Sequence, residues 1–124
     1  RLRHSTLLPG EADASEGLSI SGTKAGAIMD QGWLKFGDVN LTDRTKASVT
    51  YSSAGTGGTI EIRHGSAEGE LLGSVNAEPT GDWNKSKTLK FEIKPAPNRG
   101  DLYIRFSKPG GAHLMNFESI SLER

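Results

Sequence analysis

The sequence predicts an all-β fold: two antiparallel sheets packed face to face as a β-sandwich of jelly-roll type. Three observations predict it. Short segments in which apolar and polar residues alternate recur along the chain, the period of a strand with one buried face. Clusters of Gly, Ser, Thr and Asn separate them, and 16 glycines in 124 residues supply turns at the required frequency. No long stretch shows the apolar period of a capped helix. Strands this short and this regularly spaced bury their apolar faces by pairing two sheets.

Taken in order, Trp33-Leu34-Lys35-Phe36 opens a strand that leads through an expected bend at Gly37-Asp38 into Val39-Asn40-Leu41. Ala47-Ser48-Val49-Thr50-Tyr51 alternates and ends in the loop Ser52 to Gly58. Thr59-Ile60-Glu61-Ile62-Arg63 and Leu71-Leu72-Gly73-Ser74-Val75 flank a turn segment from His64 to Gly69. Thr88-Leu89-Lys90-Phe91-Glu92-Ile93 is followed by Pro95 and Pro97, which hold a loop open because proline cannot donate to a ladder. Leu102-Tyr103-Ile104-Arg105-Phe106 and Phe117-Glu118-Ser119-Ile120-Ser121-Leu122 complete the set. Trp33 reads as a core or sheet-edge residue, and Tyr51, Phe91, Tyr103, Phe106 and Phe117 read as packing residues of their strands.

The length suits a single domain over 1–124, with residues 1–6 read as linker. The chain opens at Arg1 without a methionine, which predicts a module within a longer polypeptide. Lys plus Arg equals Asp plus Glu at 15 each, so the surplus of cations that grips a phosphate backbone is missing and no nucleic-acid partner is expected. No apolar run is long enough to span a bilayer, so no membrane partner is expected. With no cysteine there are no disulfides, thiolate metal sites or cysteine nucleophile.

Catalytic patterns are lacking too. The acids form no cluster in an evident cleft, whereas a glycosidase needs two carboxyls at a fixed separation across the scissile bond. His4, His64 and His113 are scattered, and no G-x-S-x-G elbow is present. Gly55-Thr56-Gly57-Gly58 lacks the Lys-Ser/Thr of a phosphate loop and precedes a strand. The chain reads as a non-enzyme.

Several stretches in order resemble carbohydrate-binding module family 6. They are Gly57-Gly58-Thr59-Ile60-Glu61-Ile62-Arg63, then Gly69-Glu70-Leu71-Leu72-Gly73-Ser74-Val75, Thr80-Gly81-Asp82-Trp83, Asp101-Leu102-Tyr103-Ile104-Arg105-Phe106, and Asn116-Phe117-Glu118-Ser119-Ile120-Ser121-Leu122. The resemblance covers nearly all of the chain after about Glu11. It implies a jelly-roll sandwich that binds a polysaccharide or oligosaccharide, such as a β-glucan, xylan or agar-type galactan, for an attached catalytic domain. A monomeric, secreted or cell-surface bacterial module is expected. The other reading is a structural or protein-interaction sandwich whose sugar cleft has decayed.

Thr80-Gly81-Asp82-Trp83-Asn84 is polar and turn-like around one large aromatic, which places Trp83 on a loop. A tryptophan there either plugs the end of the sandwich or lies flat against the C–H face of a sugar; the resemblance implies the second. It also implies that Asn116 bonds sugar hydroxyls from the base of the same cleft, since an amide donates and accepts together. His113, close by in sequence, is a further ligand candidate. In the family a tyrosine usually forms the second wall of the cleft; here Ala27 or Ile28 takes its place, so Ile28 is included among the ligand contacts. The resemblance further implies a structural calcium held by Glu11, Asp13 and Glu118, carboxylates from the two chain ends meeting one hard cation.

Overall fold

The computed structural model describes residues 6–22, 24–40, 45–55, 57–66, 69–94, 99–108 and 114–123. Among these residues eleven strands follow one another: β1 Thr6–Leu7, β2 Ala14–Glu16, β3 Ser19–Ser21, β4 Lys24–Gly26, β5 Trp33–Asn40, β6 Lys46–Ser53, β7 Gly58–His64, β8 Glu70–Ala77, β9 Asp82–Glu92, β10 Arg99–Ser107 and β11 Asn116–Glu123. A three-residue 3-10 turn, Pro9–Glu11, links β1 to β2. The first sheet runs β3-β4-β11-β6-β9, with β1 also paired to β11; the second runs β2-β5-β10-β7-β8. Every pairing is antiparallel. Among the described residues no helix is long and apolar enough to cross a membrane.

Alternation decides which side chains go inside. Ala47, Val49 and Tyr51 of β6 are buried, as are Ile60 and Ile62 of β7 and Leu102, Ile104 and Phe106 of β10. Each fully buried Leu, Ile or Phe contributes about 1.5–3 kcal/mol relative to exposure. Phe106 of the second sheet meets Phe117 of the first edge-on, ring centroids 5.2 Å apart. On β11 the buried positions step from Phe117 to Ile120, three residues on. A register shift between Phe117 and Ser119 makes this possible by leaving Glu118 as an extra, outward residue. The bend expected at Gly37-Asp38 is a bulge instead: β5 is continuous, and those two residues stand opposite Asp101 alone.

At one end of the sandwich β4, β6, β8 and β10 finish while β5, β7, β9 and β11 begin. The connections there are bonded to one another. The Leu114 N–H donates to the Ile28 carbonyl (2.8 Å), and the Gly57 N–H donates to the Leu114 carbonyl (3.0 Å). Gly57 has φ +67°, and a Cβ on it would lie 2.4 Å from the Ala77 carbonyl oxygen, so both conformation and space require glycine. Pro95 and Pro97 lie outside the described residues.

Candidate functional site

Trp83 is part of a strand, and the loop placement read from its polar neighbours is corrected on that point. β9 starts at Asp82 and, among the described residues, pairs only with β6, as the outer strand of the first sheet. The ladder is interrupted where it matters. Ser52 pairs with Ser86 while the next residue, Ser53, pairs with Asp82. Trp83, Asn84 and Lys85 therefore form a three-residue bulge with no counterpart on β6, and a bulge re-aims the side chains it carries. Trp83 remains 39% exposed, one of few large apolar side chains in that state.

The bulge is held from several directions. Ser52 Oγ donates to the Trp83 carbonyl (2.7 Å), and the Asn84 N–H donates to Asp82 Oδ1 (2.8 Å). Upstream, the Thr80 and Gly81 N–H groups both donate to the Ser53 carbonyl, and the Tyr51 hydroxyl donates to the Glu78 carbonyl (2.6 Å). Burial, reinforced by the charge of the Glu78 carboxylate, pushes the Tyr51 phenol above its usual range.

Asn116 begins β11 and pairs with Ser52. Ser52 thus stands between Asn116 on one side and the Trp83 carbonyl on the other, about 10 Å for two strand spacings. The Asn116 side chain lies over Gly26: a Cβ there would come 3.0 Å from Asn116 Oδ1. Ile28 is corrected as a ligand contact. It is 0% exposed and packs in the core, so it offers no surface to a sugar. The exposed position is Ala27, held at φ +50°, a conformation a non-glycine residue adopts only under constraint. Of the two residues expected in place of the family's tyrosine, the one that reaches the surface thus carries only a methyl group. His113 lies outside the described residues.

A second surface, which the sequence reading passed over, lies on the outer face of the second sheet. Leu34 and Phe36 point into the core, so Trp33 points out; Ile104 and Phe106 point in, so Tyr103 and Arg105 point out. Trp33 and Tyr103 are tilted against each other with centroids 5.5 Å apart. One cross-strand row runs Glu16, Trp33, Arg105, Glu61 over four strands. A groove of about 410 Å³ opens there, its lining including Glu16, Gln31, Trp33 and Arg105. Trp33 is therefore a surface residue on an inner strand, half-buried rather than part of the core.

Of the three acids expected to hold calcium, Asp13 and Glu118 have other partners, on different sheets. Asp13 Oδ2 accepts from the Gly37 N–H (2.6 Å) on the second sheet, near Asp101, whose Oδ2 is 3.6 Å from Lys35 Nζ. Glu118 lies on the first sheet, where its carboxylate accepts from the Ser86 hydroxyl and pairs with Lys24 Nζ at 3.8 Å. Asp13 is thus bonded to the second sheet and Glu118 to the first, and stacked sheets are about 10 Å apart. One calcium binds oxygens at about 2.3–2.6 Å, so they do not share it. Among the described residues no group of three acidic or histidine side chains is placed to hold a metal; the side chain of Glu11 is outside them.

Residues 10–124 match the sequence profile of the carbohydrate binding module (family 6). The chain belongs to that family. The module superimposes with a TM-score of 0.92 on a family 6 module from Clostridium cellulolyticum solved in complex with xylose, 22% identical, with all of both chains covered. A β-1,3-glucan-binding family 6 module from Bacillus halodurans gives a TM-score of 0.91 at 28% identity, covering 100% of this chain and 98% of that one. An arabinoxylan arabinofuranohydrolase of Bacillus subtilis (strain 168) is 25% identical over 109 residues, which are 87% of this chain and 21% of that protein. The chain thus spans about a fifth of the length of that relative. Family 6 modules are non-catalytic sugar-binding domains, and the enzyme relatives match through this domain alone.

Proposed function

We propose that this module fastens an attached, secreted glycan-active enzyme to a polysaccharide such as a xylan, a β-glucan or an agar-type galactan. A sugar ring stacks on the Trp83 indole while Asn116 donates to and accepts from its hydroxyls. The observation that carries this reading is the exposed indole in a bonded bulge, one strand away from the Ser52–Asn116 pair. With Ala27 forming the opposite wall, the ring is stacked on one face only, which leaves room for a substituted sugar. Xylose and β-1,3-glucan in the two related modules support the ligand class.

The outer face of the second sheet supports a second reading, because Trp33 and Tyr103 form an aromatic floor flanked by hydrogen-bonding side chains. Affinity electrophoresis and calorimetry against laminarin, xylan, mixed-linkage glucan, cellulose and agar oligosaccharides test both. Loss of binding in Trp83→Ala supports the sandwich-end site. Loss in Trp33→Ala with Trp83→Ala unaffected transfers the function to the sheet face. An absence of binding to every glycan overturns the proposal in favour of a structural or interaction module.

A further inference from the structure

Among the described residues the buried polar side chains are Ser52 and Ser53, 1% and 0% exposed. They are consecutive on β6, so their side chains leave opposite faces of the sheet. Ser52 continues the outward row of Ser48 and Thr50, and Ser53 continues the inward row of Val49 and Tyr51. A hydroxyl at an inward position costs free energy unless it is bonded, and an aliphatic side chain would fill the space without that condition. Both hydroxyls are bonded, and their partners belong to the two segments that carry the sugar site.

Ser52 Oγ donates to the Trp83 carbonyl at 2.7 Å. Ser53 Oγ donates to the Leu114 carbonyl at 2.6 Å, two residues before Asn116, and accepts from the Gly55 N–H at 3.2 Å. The Ser53 backbone adds to the clamp, with its N–H donating to Thr80 Oγ1 (3.0 Å) and its carbonyl accepting from Thr80 and Gly81. One dipeptide is thereby bonded to the bulge that presents the indole and to the chain that delivers the amide.

We propose that Ser52 and Ser53 are positioning residues of the sugar site, fixing the separation of the Trp83 indole and the Asn116 amide before ligand arrives. This rests on the reading that Trp83 and Asn116 contact sugar. Without the Ser52 hydroxyl the Trp83 carbonyl loses its side-chain donor. The three-residue bulge then relaxes toward water, and the ordering of the indole is charged to each binding event. Ser53 does the same for the approach to Asn116.

Affinity and melting are measured in the wild-type module, and quenching alone in a Trp33→Phe background, where Trp83 is the single tryptophan reporter. Ser52→Ala, Ser53→Ala and Ser52→Thr are compared with their parent for laminarihexaose and xylohexaose affinity, acrylamide quenching of Trp83 and thermal melting. Ser52→Ala is expected to weaken binding about tenfold, the worth of one hydrogen bond of about 1.4 kcal/mol. It also raises quenching while melting close to the parent, and Ser52→Thr restores both readouts. A merely structural serine would move melting and leave quenching and the threonine rescue unaffected. If Ser52→Ala folds poorly, Ser52→Cys, similar in size and a weak donor, replaces it. Parental affinity and quenching in Ser52→Ala, alongside loss of binding in Trp83→Ala, overturn the positioning role alone. Unchanged binding in Trp83→Ala overturns the site reading, and this proposal with it.

Discussion

Replacing Trp83 by alanine removes the aromatic platform, and its effect follows from the exposure of that side chain. The indole is 39% exposed, and an aromatic side chain offers at most about 250 Å², so about 100 Å² remains for a sugar to cover. At about 25 cal/mol per Å² this contributes about 2.5 kcal/mol. Imperfect contact and the ordering of the sugar reduce the realised part to about 2 kcal/mol, or roughly thirtyfold in Kd. Isothermal titration with xylo- and laminari-oligosaccharides measures the change, with circular dichroism confirming that the sandwich is intact. Trp83→Phe, which keeps a smaller ring, falls between wild type and alanine. Trp33→Ala serves as the comparison on the second sheet. A Trp83→Ala module that is folded and binds within threefold of wild type refutes the reasoning, because the exposed indole then contributes nothing to the contact.

Gly57→Ala forces a methyl group against the Ala77 carbonyl at a positive φ; a loss of about 2 kcal/mol or more in urea unfolding is expected, and a neutral result shows that the junction yields. The raised pKa of Tyr51 keeps its phenol protonated in the fold where an unfolded tyrosine ionises, at about 10. Its stabilisation is therefore complete below that pH and is lost as pH rises through the higher folded value, so Tyr51→Phe flattens the alkaline decline in melting temperature. Since Asp13 and Glu118 are held on different sheets, Glu118→Gln leaves any calcium-dependent shift in melting temperature equal to that of wild type. A shift abolished by that substitution returns Glu118 to a calcium site.

Much of the sandwich is legible in the alternation of the longer strands. In Ala47 to Tyr51 and Leu102 to Phe106 every second residue is apolar, and those residues are the buried ones. The same alternation contains the sheet-face surface: with Leu34 and Phe36 inside, Trp33 and Lys35 must be outside. Hydrophobicity alone assigned Trp33 to the core or a sheet edge, when its phase in the strand already decided otherwise. The four short strands before Trp33 carry too few residues for a period to emerge. β1 and β4 exist because β11 offers them a ladder and β2 because β5 does, while β3 pairs in turn with β4. Asp82 to Lys87 is exposed throughout and polar apart from Trp83, so it carries no alternation to signal a strand; pairing with β6 makes it one.

By itself the sequence determined the class of fold, the family and the residue types available for sugar binding, because those depend on local periodicity and on the order of motifs. Where those residues point was decided by tertiary structure. Ala25 and Ile28 both turn inward, and Ala27 is left exposed. A bulge present on β9 and absent from β6 lifts Trp83 out of the ladder. Asp13 and Glu118, two of the three acids expected to hold one calcium, find their partners on different sheets. Each outcome depends on register between strands distant in the chain, and a shift of one residue reverses the face on which a side chain emerges.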